Sequence, residues 1–237
     1  MADNILAKEL TGVLKSNGAT LVGFADLRGI SGDIRSDFPI GISIAVALNP
    51  RAIAGIKEGP TMEYHDEYDR ANNLLNSLSA IAEKFLKEQK HKAKGFPAKT
   101  GPTGYNPETF STVLPHKTIA TRSGIGWIGK CALLVTKEFG SAVRLTSVLT
   151  EADLPVGTPS GASQCGSCGL CVDNCPGKAP SGKNWEVSLD RDSFFDAFAC
   201  YKAARKLASD KIGLQETLCG ICIASCPWTQ SYIKRTT

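Results

Sequence analysis

The sequence predicts an N-terminal domain of the α/β or α+β class, followed by a smaller domain rich in cysteine. Its 237 residues are 42% hydrophobic, which is enough for one large core or two modest ones. Eight of the nine cysteines lie within residues 165–226, and only Cys131 falls outside that range. Residues 151–164, rich in Pro, Gly and Ser, have the composition of a linker. We therefore expect domains at residues 1–155 and 156–237.

The N-terminal part shows helical and β-type patterns in turn. Apolar residues recur at helical spacing within residues 5–14, which predicts a first helix. Residues 19–27 and 42–48 are β-prone and predict two strands. A longer apolar helical face covers residues 74–85, and we expect that helix to end near Gly95.

Charge and composition narrow the class of protein. A net charge of +4 permits an anionic partner but does not favour nucleic acid, which binds strongly basic, clustered surfaces. The first ten residues, MADNILAKEL, lack the pattern of a secretory signal, and the longest apolar run, residues 38–48, is too short to span a bilayer. We expect a cytoplasmic protein with no membrane partner. In a reducing compartment, nine cysteines indicate metal or redox chemistry rather than disulfides.

The C-terminal part begins with a dense cysteine motif, CGSCGLCVDNCPG at residues 165–177. This is the bacterial ferredoxin spacing for [4Fe–4S] clusters, in which three thiolates bind one cube and the fourth reaches a second cube. CGICIASCP at residues 219–227 repeats the end of the pattern, and Cys200 supplies the missing first ligand. We define the first set as Cys165, Cys168, Cys171 and Cys226, and the second set as Cys175, Cys200, Cys219 and Cys222.

Two other interpretations of these cysteines are zinc binding and clusters with a purely structural role. Zinc sites with four thiolates each would also use eight cysteines, but they usually contain separate Cys-x2-Cys pairs and not an uninterrupted run closed by proline. The clusters could also have only a structural role, in which they stabilise a small domain. Two cubes linked by crossing ligands lie close together, which favours the transfer of single electrons.

A glycine-rich loop, SGIGWIGKC at residues 123–131, matches two nucleotide motifs superficially. A dinucleotide fingerprint follows a strand and opens a helix, whereas β-prone residues follow this loop. A phosphate loop needs Ser or Thr where Cys131 stands. We therefore expect neither NAD nor ATP. The glycines indicate a tight turn that brings backbone close to a large, flat partner, with Trp127 as a packing anchor.

Four segments together carry a family resemblance: SGIGWIGKCALLVTKEFGS, VLTEADLP, CGSCGLCVDNCPG and CGICIASCPW. In this order they resemble the epoxyqueuosine reductases and the related corrinoid-dependent reductive dehalogenases. The segment EYHDEYDRANNLLNSL at residues 63–78 also looks like that family and extends the match over roughly residues 60–228. The resemblance implies a cobalamin-binding, nitroreductase-like α/β domain fused to a double-cluster ferredoxin-like domain. The clusters would deliver low-potential electrons, received from a ferredoxin or flavodoxin, to cobalt, which would reduce a small molecule or a modified nucleoside.

The resemblance also implies which residues lie at or near the corrinoid: Gly124, Gly126, Trp127, Gly129 and Lys130. Cys131 has two possible roles, as a buried small hydrophobe or as a reactive thiol near the cobalt.

The sequence departs from the family at Cys131, a position often held by His or Asn, and at the residue that donates a proton. Epoxyqueuosine reductases carry an Asp-Ser-Ala-Pro stretch whose Asp donates a proton, whereas residues 110–113 here are Phe-Ser-Thr-Val. Candidate donors near the loop are Tyr64, His65, Tyr105 and His116. His116 is the first choice because only His titrates near neutral pH without perturbation, and Tyr105 is the second catalytic candidate. The alternative is an electron-transfer protein that serves a partner enzyme or the partner's corrinoid.

Overall fold

The computed structural model describes residues 2–99 and 105–236, and the chain divides into two compact units. The first unit consists of Met1–Val46, Ala71–Ile125 and Arg144–Ser160, and the second of Ala47–Arg70, Gly126–Val143 and Gly161–Thr237. This division differs from a single boundary near residue 155, because two earlier segments of the chain pack with the cysteine-rich part. The predicted linker is also ordered, since Gly157 N–H donates to the Phe24 carbonyl at 2.8 Å.

The helices and strands follow one another in the order α1 (Ala2–Ser16), β1 (Leu21–Asp26), β2 (Ile40–Ala47), α2 (Pro50–Ala54), α3 (Met62–Glu88), β3 (Ala93–Gly95), α4 (His116–Arg122), β4 (Trp127–Ile128), β5 (Leu134–Val135), β6 (Val143–Thr150), α5 (Leu170–Asp173), α6 (Ala197–Ile212), α7 (Ile221–Ser225) and α8 (Pro227–Thr236). A single 3₁₀ turn lies at Arg191–Ser193. None of these helices combines the length and apolar character that crossing a bilayer requires.

The first unit is built on a four-stranded sheet with the strand order β1-β2-β6-β3. β1 pairs antiparallel with β2, and β3 pairs antiparallel with β6. Strand β2 is buried along nearly its whole length, as its continuous apolar sequence IGISIAVA requires. The predicted first helix and the two predicted strands are confirmed as α1, β1 and β2.

The core of the first unit combines helix and sheet residues. Side chains that are fully buried include Leu10 and Leu14 of α1, Ile42 and Ile44 of β2, and Leu75 of α3. Burial of each such side chain contributes roughly 1.5–3 kcal/mol. The mixed α+β class predicted from the sequence is confirmed.

The predicted end of the long helix was wrong. Helix α3 ends at Glu88, and Gly95 lies in β3 opposite Val148. The chain reverses at Lys90, whose φ is +64°, which ends the helix and returns the backbone to the sheet. Gly95 is needed there because a Cβ atom would lie 2.5 Å from the Ser79 hydroxyl oxygen.

The second unit has little regular structure and relies on short helices and on a two-stranded hairpin, β4-β5. Asp196 caps α6 through its carboxylate, which accepts a hydrogen bond from Ala199 N–H at 2.9 Å. The Tyr232 hydroxyl donates to the Leu48 carbonyl at 3.0 Å, and its ring packs edge-on against Phe139 at 5.1 Å. These contacts explain why the segments 47–70 and 126–143 belong to this unit.

Gly140, which packs closely against the backbone of α8, gives a stability prediction. Gly140 has φ +59°, and a Cβ atom there would lie 2.2 Å from the Thr229 backbone nitrogen. In Gly140→Ala the added Cβ overpacks the site, and alanine must adopt a left-handed conformation. We therefore expect a loss of about 2–4 kcal/mol in the free energy of unfolding. Chemical denaturation of the two proteins measures this loss.

Gly161→Ala is the matched control, because no atom lies within 4 Å of the Cβ position at Gly161. We expect a change of less than about 1 kcal/mol for the control. Equal stability of Gly140→Ala and wild type would contradict the close packing of the turn at Gly140 against Thr229 in α8.

Candidate metal centre

The four cysteines of the first set line one cavity, although they come from distant parts of the sequence. Cys165 and Cys168 lie in the loop before α5, where Cys168 N–H donates to the Cys165 carbonyl at 3.1 Å. Cys171 lies on α5, and Cys226 lies in extended backbone between α7 and α8. The last cysteine of the C-terminal motif therefore joins the first three of the N-terminal motif, as the crossing pattern predicts.

Three cysteines of the second set form a separate neighbourhood. Burial and the nearby thiols of Cys175 and Cys219 raise the pKa of Cys200 to about 11. Cys175 follows α5, Cys200 lies in the first turn of α6, and Cys219 precedes α7. The fourth member, Cys222, lies on α7, near enough to Cys131 to help raise the pKa of that thiol.

The arrangement of the thiols suits clusters better than single ions. Zinc needs its ligands within about 2.3 Å of a common point. In residues 2–99 and 105–236, no three His, Cys, Asp or Glu side chains converge closely enough to hold one ion. In a cube each thiolate binds a different iron, so the ligands surround a cavity instead. The soft thiol donors also match iron–sulfur chemistry.

An unsatisfied polar atom lies beside the first set. The Trp127 side chain is 1% exposed and packs against Cys165 and Cys226, and its indole nitrogen has no hydrogen-bond partner. Buried N–H groups without a partner are costly. Sulfur atoms of a cluster accept such hydrogen bonds, so this environment is compatible with a cluster in the cavity.

Burial sets the protonation of the unligated cysteines. It raises the pKa of the Cys219 and Cys226 thiols above the ordinary value. Iron binds the thiolate, so cluster assembly must displace protons from these side chains. Assembly is therefore expected to become more favourable as the pH rises.

The glycine-rich loop is explained by close backbone packing. Gly124 has φ +77°, and a Cβ atom there would lie 2.5 Å from the Thr158 carbonyl oxygen. A Cβ atom at Gly126 would lie 2.3 Å from the Val135 carbonyl oxygen, and one at Gly129 would lie 2.8 Å from a Val135 methyl group. The loop also runs from helix α4 into strand β4, the reverse of the dinucleotide-binding order.

The other residues predicted to lie at a corrinoid have contacts within the second unit. Trp127 packs edge-on against Trp228, with ring centroids 5.3 Å apart. Lys130 and Cys131 line the cavity of the first set. Cys131 is 4% exposed, and Cys171 and Cys222, one cysteine from each set, both act on its pKa, which lies well above the ordinary value. A corrinoid contact of this loop stays a prediction.

His116 has both ring nitrogens engaged. Nδ1 lies 3.0 Å from the Ser147 hydroxyl oxygen, and Nε2 lies 3.1 Å from the Pro97 carbonyl oxygen. Because a carbonyl only accepts, Nε2 carries the proton and Nδ1 accepts from Ser147. Burial lowers the pKa of His116 to about 4, so the ring is neutral at neutral pH. This environment favours a structural role over the predicted role as proton donor.

The other candidate donors lie in different environments. Tyr105 is 52% exposed and stacks on Phe110, with ring centroids 6.2 Å apart. Tyr64 is buried. His65 ion-pairs with three carboxylates, those of Asp66, Asp69 and Glu216. Partial burial lowers the pKa of His65, but these carboxylates outweigh it and raise the pKa overall.

Sequence reasoning missed Trp228 as a residue of the site. Its side chain lines the cavity of the first set and packs against Trp127. The available signal was its position directly after Cys226 and Pro227, since neighbours of a cluster ligand lie within reach of the cluster.

Comparison with known proteins defines the class of the C-terminal part. Residues 164–229 match the family described as a 4Fe-4S double cluster binding domain. This match agrees with the two sets of thiols and confirms [4Fe–4S] clusters as the expected metal centres.

Curated relatives identify the wider family resemblance. The chain is 40% identical over 137 residues to an epoxyqueuosine reductase of Aliivibrio fischeri, covering 56% of this chain and 34% of the relative. It is 35% identical over 132 residues to that of Atelocyanobacterium thalassa, covering 52% of this chain and 40% of the relative. The predicted resemblance to the epoxyqueuosine reductases is confirmed. The chain spans about a third to two fifths of these relatives' length.

Solved structures share the fold. An epoxyqueuosine reductase with an epoxyqueuosine-modified tRNA stem loop has a TM-score of 0.65 at 22% identity, covering 96% of this chain and 66% of that one. A reductive dehalogenase structure, described in terms of B12-dependent dehalogenation, has a TM-score of 0.72 at 14% identity, covering 96% and 32%. At these identities the likeness establishes the fold.

Substitution of single cysteines tests the ligand sets. We expect Cys226→Ala to lose about half of the bound iron, because one of the two cubes loses a ligand. Cys131→Ala is the matched control, a buried cysteine in the same cavity that belongs to neither set. Iron and acid-labile sulfide per chain are measured after anaerobic purification. Full iron in Cys226→Ala, or lost iron in Cys131→Ala, would show that the sets are assigned wrongly.

The environment of His116 predicts a pH-dependent contribution to stability. Its pKa is about 4 in the folded chain, below the ordinary value of 6.5, so the unfolded chain takes up the proton first as the pH falls. The contribution is present above pH 6.5 and is lost toward pH 4, amounting to about 2 kcal/mol by pH 5.

Anaerobic urea unfolding of wild type and His116→Gln at pH 7.5 and pH 5 measures this effect. Wild type should lose about 2 kcal/mol more than the variant, because glutamine does not titrate. The comparison cancels the acid sensitivity of the clusters, which the two proteins share. An equal loss in both would mean that His116 is solvated and free to titrate.

Proposed function

We propose that this chain is an iron–sulfur oxidoreductase of the epoxyqueuosine-reductase type, which passes low-potential electrons through two [4Fe–4S] clusters to a bound corrinoid. The observation that supports it most strongly is the cavity that gathers Cys165, Cys168, Cys171 and Cys226 from both ends of the cysteine-rich segment. A single-ion site or a disulfide framework would not require this crossing of distant motifs.

Apolar residues surround part of the first set. Val135, Pro227 and Trp228 line its cavity, and Trp127, which is 1% exposed, packs against Val135 and Cys226. When bound, the clusters supply one-electron chemistry at low potential. The surrounding side chains hold the thiols in place and exclude water, which limits the reaction of a reduced cluster with solvent species.

Cys131 supports electron exchange between the clusters. It lines the cavity of the first set together with Cys171, and the Cys222 thiol of the second set lies near enough to act on its pKa. One buried side chain therefore lies near a ligand of each proposed cluster, which supports a short distance between the two sets. We expect electrons to pass between the clusters without leaving the second unit.

The corrinoid is supported by the fold shared with the B12-dependent dehalogenase and by the curated epoxyqueuosine reductases. In those groups the cofactor performs the reduction, and the protein binds and orients it. Here the described contacts of Trp127, Lys130 and Cys131 are with the thiols and side chains of the second unit. We therefore assign no step at cobalt to any of these residues.

The proposed substrate is electrophilic, either a small molecule or a modified nucleoside. The modified nucleoside follows from the tRNA stem loop bound by the solved epoxyqueuosine reductase. Residues 110–113, however, contain no acid to act as the family's proton donor. A ferredoxin or flavodoxin is the class of donor that matches clusters of low potential.

A second candidate is an electron-transfer protein that reduces a partner enzyme or the partner's corrinoid. The environment of His116 favours it, because both ring nitrogens are engaged within the first unit and the ring is neutral at neutral pH. Such a protein needs no proton donor and no substrate pocket of its own.

Metal content distinguishes the two candidates. Protein purified anaerobically is reconstituted with iron, sulfide and hydroxocobalamin, desalted, and analysed for iron and cobalt. We expect about eight irons, because each of the two cubes contains four. About one cobalt per chain would support the corrinoid-dependent reductase. Retention of iron without cobalt would contradict it and favour the electron carrier.

A further inference from the structure

A buried lysine lies at the cavity of the first set. Lys130 is 7% exposed and lines the cavity together with the four cysteines of that set. It follows Gly129, at the turn of the β4-β5 hairpin. Burying an ammonium group is expensive unless an opposite charge compensates it.

The described protein offers no carboxylate to compensate Lys130. Lys130 forms no ion pair with a carboxylate within residues 2–99 and 105–236, unlike Lys87 and Lys206. The nearby acidic groups are thiols. Lys130 and the four thiols of the first set line one cavity, so the ammonium group lies near the ligands of that set.

A bound cluster would supply the missing negative charge. A cube held by thiolates is anionic in its oxidised form and gains a further negative charge on reduction. A fixed positive charge beside the cube favours the more negative, reduced form, and its effect is large in a site that excludes water. The charge of Lys130 therefore raises the reduction potential of a cluster in the first set.

The second set has the opposite electrostatic environment. The carboxylate of Asp196 lies one helical turn before Cys200 and caps α6. Its negative charge therefore lies near a ligand of the second set. Asp196 is exposed, so water screens much of its field. The difference between the sets therefore depends mainly on Lys130.

We propose that the buried charge of Lys130 makes the first cluster easier to reduce than the second and so sets the direction of electron flow between them. One electron passes from the reduced second cluster to the oxidised first cluster, with no bond formed or broken. Electrons then enter at the second set and leave from the first. This inference rests on the proposed cluster content but not on the corrinoid.

Redox titration monitored by electron paramagnetic resonance tests the proposal in the reconstituted full chain. Lys130→Met removes the charge and keeps an unbranched apolar side chain of similar length. We expect one of the two cluster midpoints to fall, so that the ratio of reduced to oxidised cluster at a fixed potential drops about tenfold or more. A tenfold change equals 59 mV for a one-electron couple. The other midpoint should move much less.

Lys137→Met is the matched control, because Lys137 is an exposed lysine of the same segment and its loss changes the net charge equally. For either cluster, we expect the ratio of reduced to oxidised cluster at a fixed potential to change by less than about twofold, since solvent screens the charge of Lys137. Unchanged midpoints in Lys130→Met at full iron content would overturn the proposal, as would equal shifts in both variants.

Further variants keep the test decisive if Lys130→Met does not retain iron. Lys130→Gln removes the charge but keeps a polar side chain, and Lys130→Arg keeps the charge. Loss of iron in the Met and Gln variants, but not in Arg, would support a required positive charge beside the first cluster. Loss in all three variants would overturn the proposal in favour of a packing role. Iron content near eight in wild type separates this outcome from failure of the proposed function itself.

Discussion

The second unit depends on one bonding constraint: thiols from distant segments must reach two metal centres at the same time. Cys226, close to the C-terminal end, lines the same cavity as Cys165, Cys168 and Cys171, while Cys175 lies near Cys200 and Cys219. The short helices of this unit, of 4 and 5 residues in α5 and α7, could not hold such an arrangement by their own stability. We infer that metal–thiolate bonds supply much of the folding free energy here.

Electrostatics follows from the same constraint. A buried cluster places negative charge in an apolar site, and the chain offers Lys130 as a buried cation at that site. Trp127, Trp228 and Val135 exclude water and so strengthen the interaction of that charge with its surroundings. The hairpin that carries Lys130 is closely packed because its glycines leave room for neighbouring backbone.

The first unit has a different physical basis. Its four-stranded sheet and helices are held by apolar burial and backbone hydrogen bonds, and His116 contributes as a neutral, doubly hydrogen-bonded ring. Sequence patterns identified α1, β1 and β2 because their apolar spacing is local. They misplaced the end of α3, because Lys90 takes the left-handed position that usually carries Gly and because the pairing of Gly95 with Val148 depends on a distant strand.

The sequence by itself determined the metal chemistry, because the spacing of the cysteines, followed by proline in each motif, is typical of [4Fe–4S] ligands. It also determined the fold class, because the spacing of apolar residues along the chain predicts helices and strands in turn. Only the tertiary structure decided that residues 47–70 and 126–143 belong with the cysteine-rich part, and that Lys130, Cys131 and Trp228 gather at the first set. These facts depend on contacts between residues far apart in the chain, which no local pattern encodes.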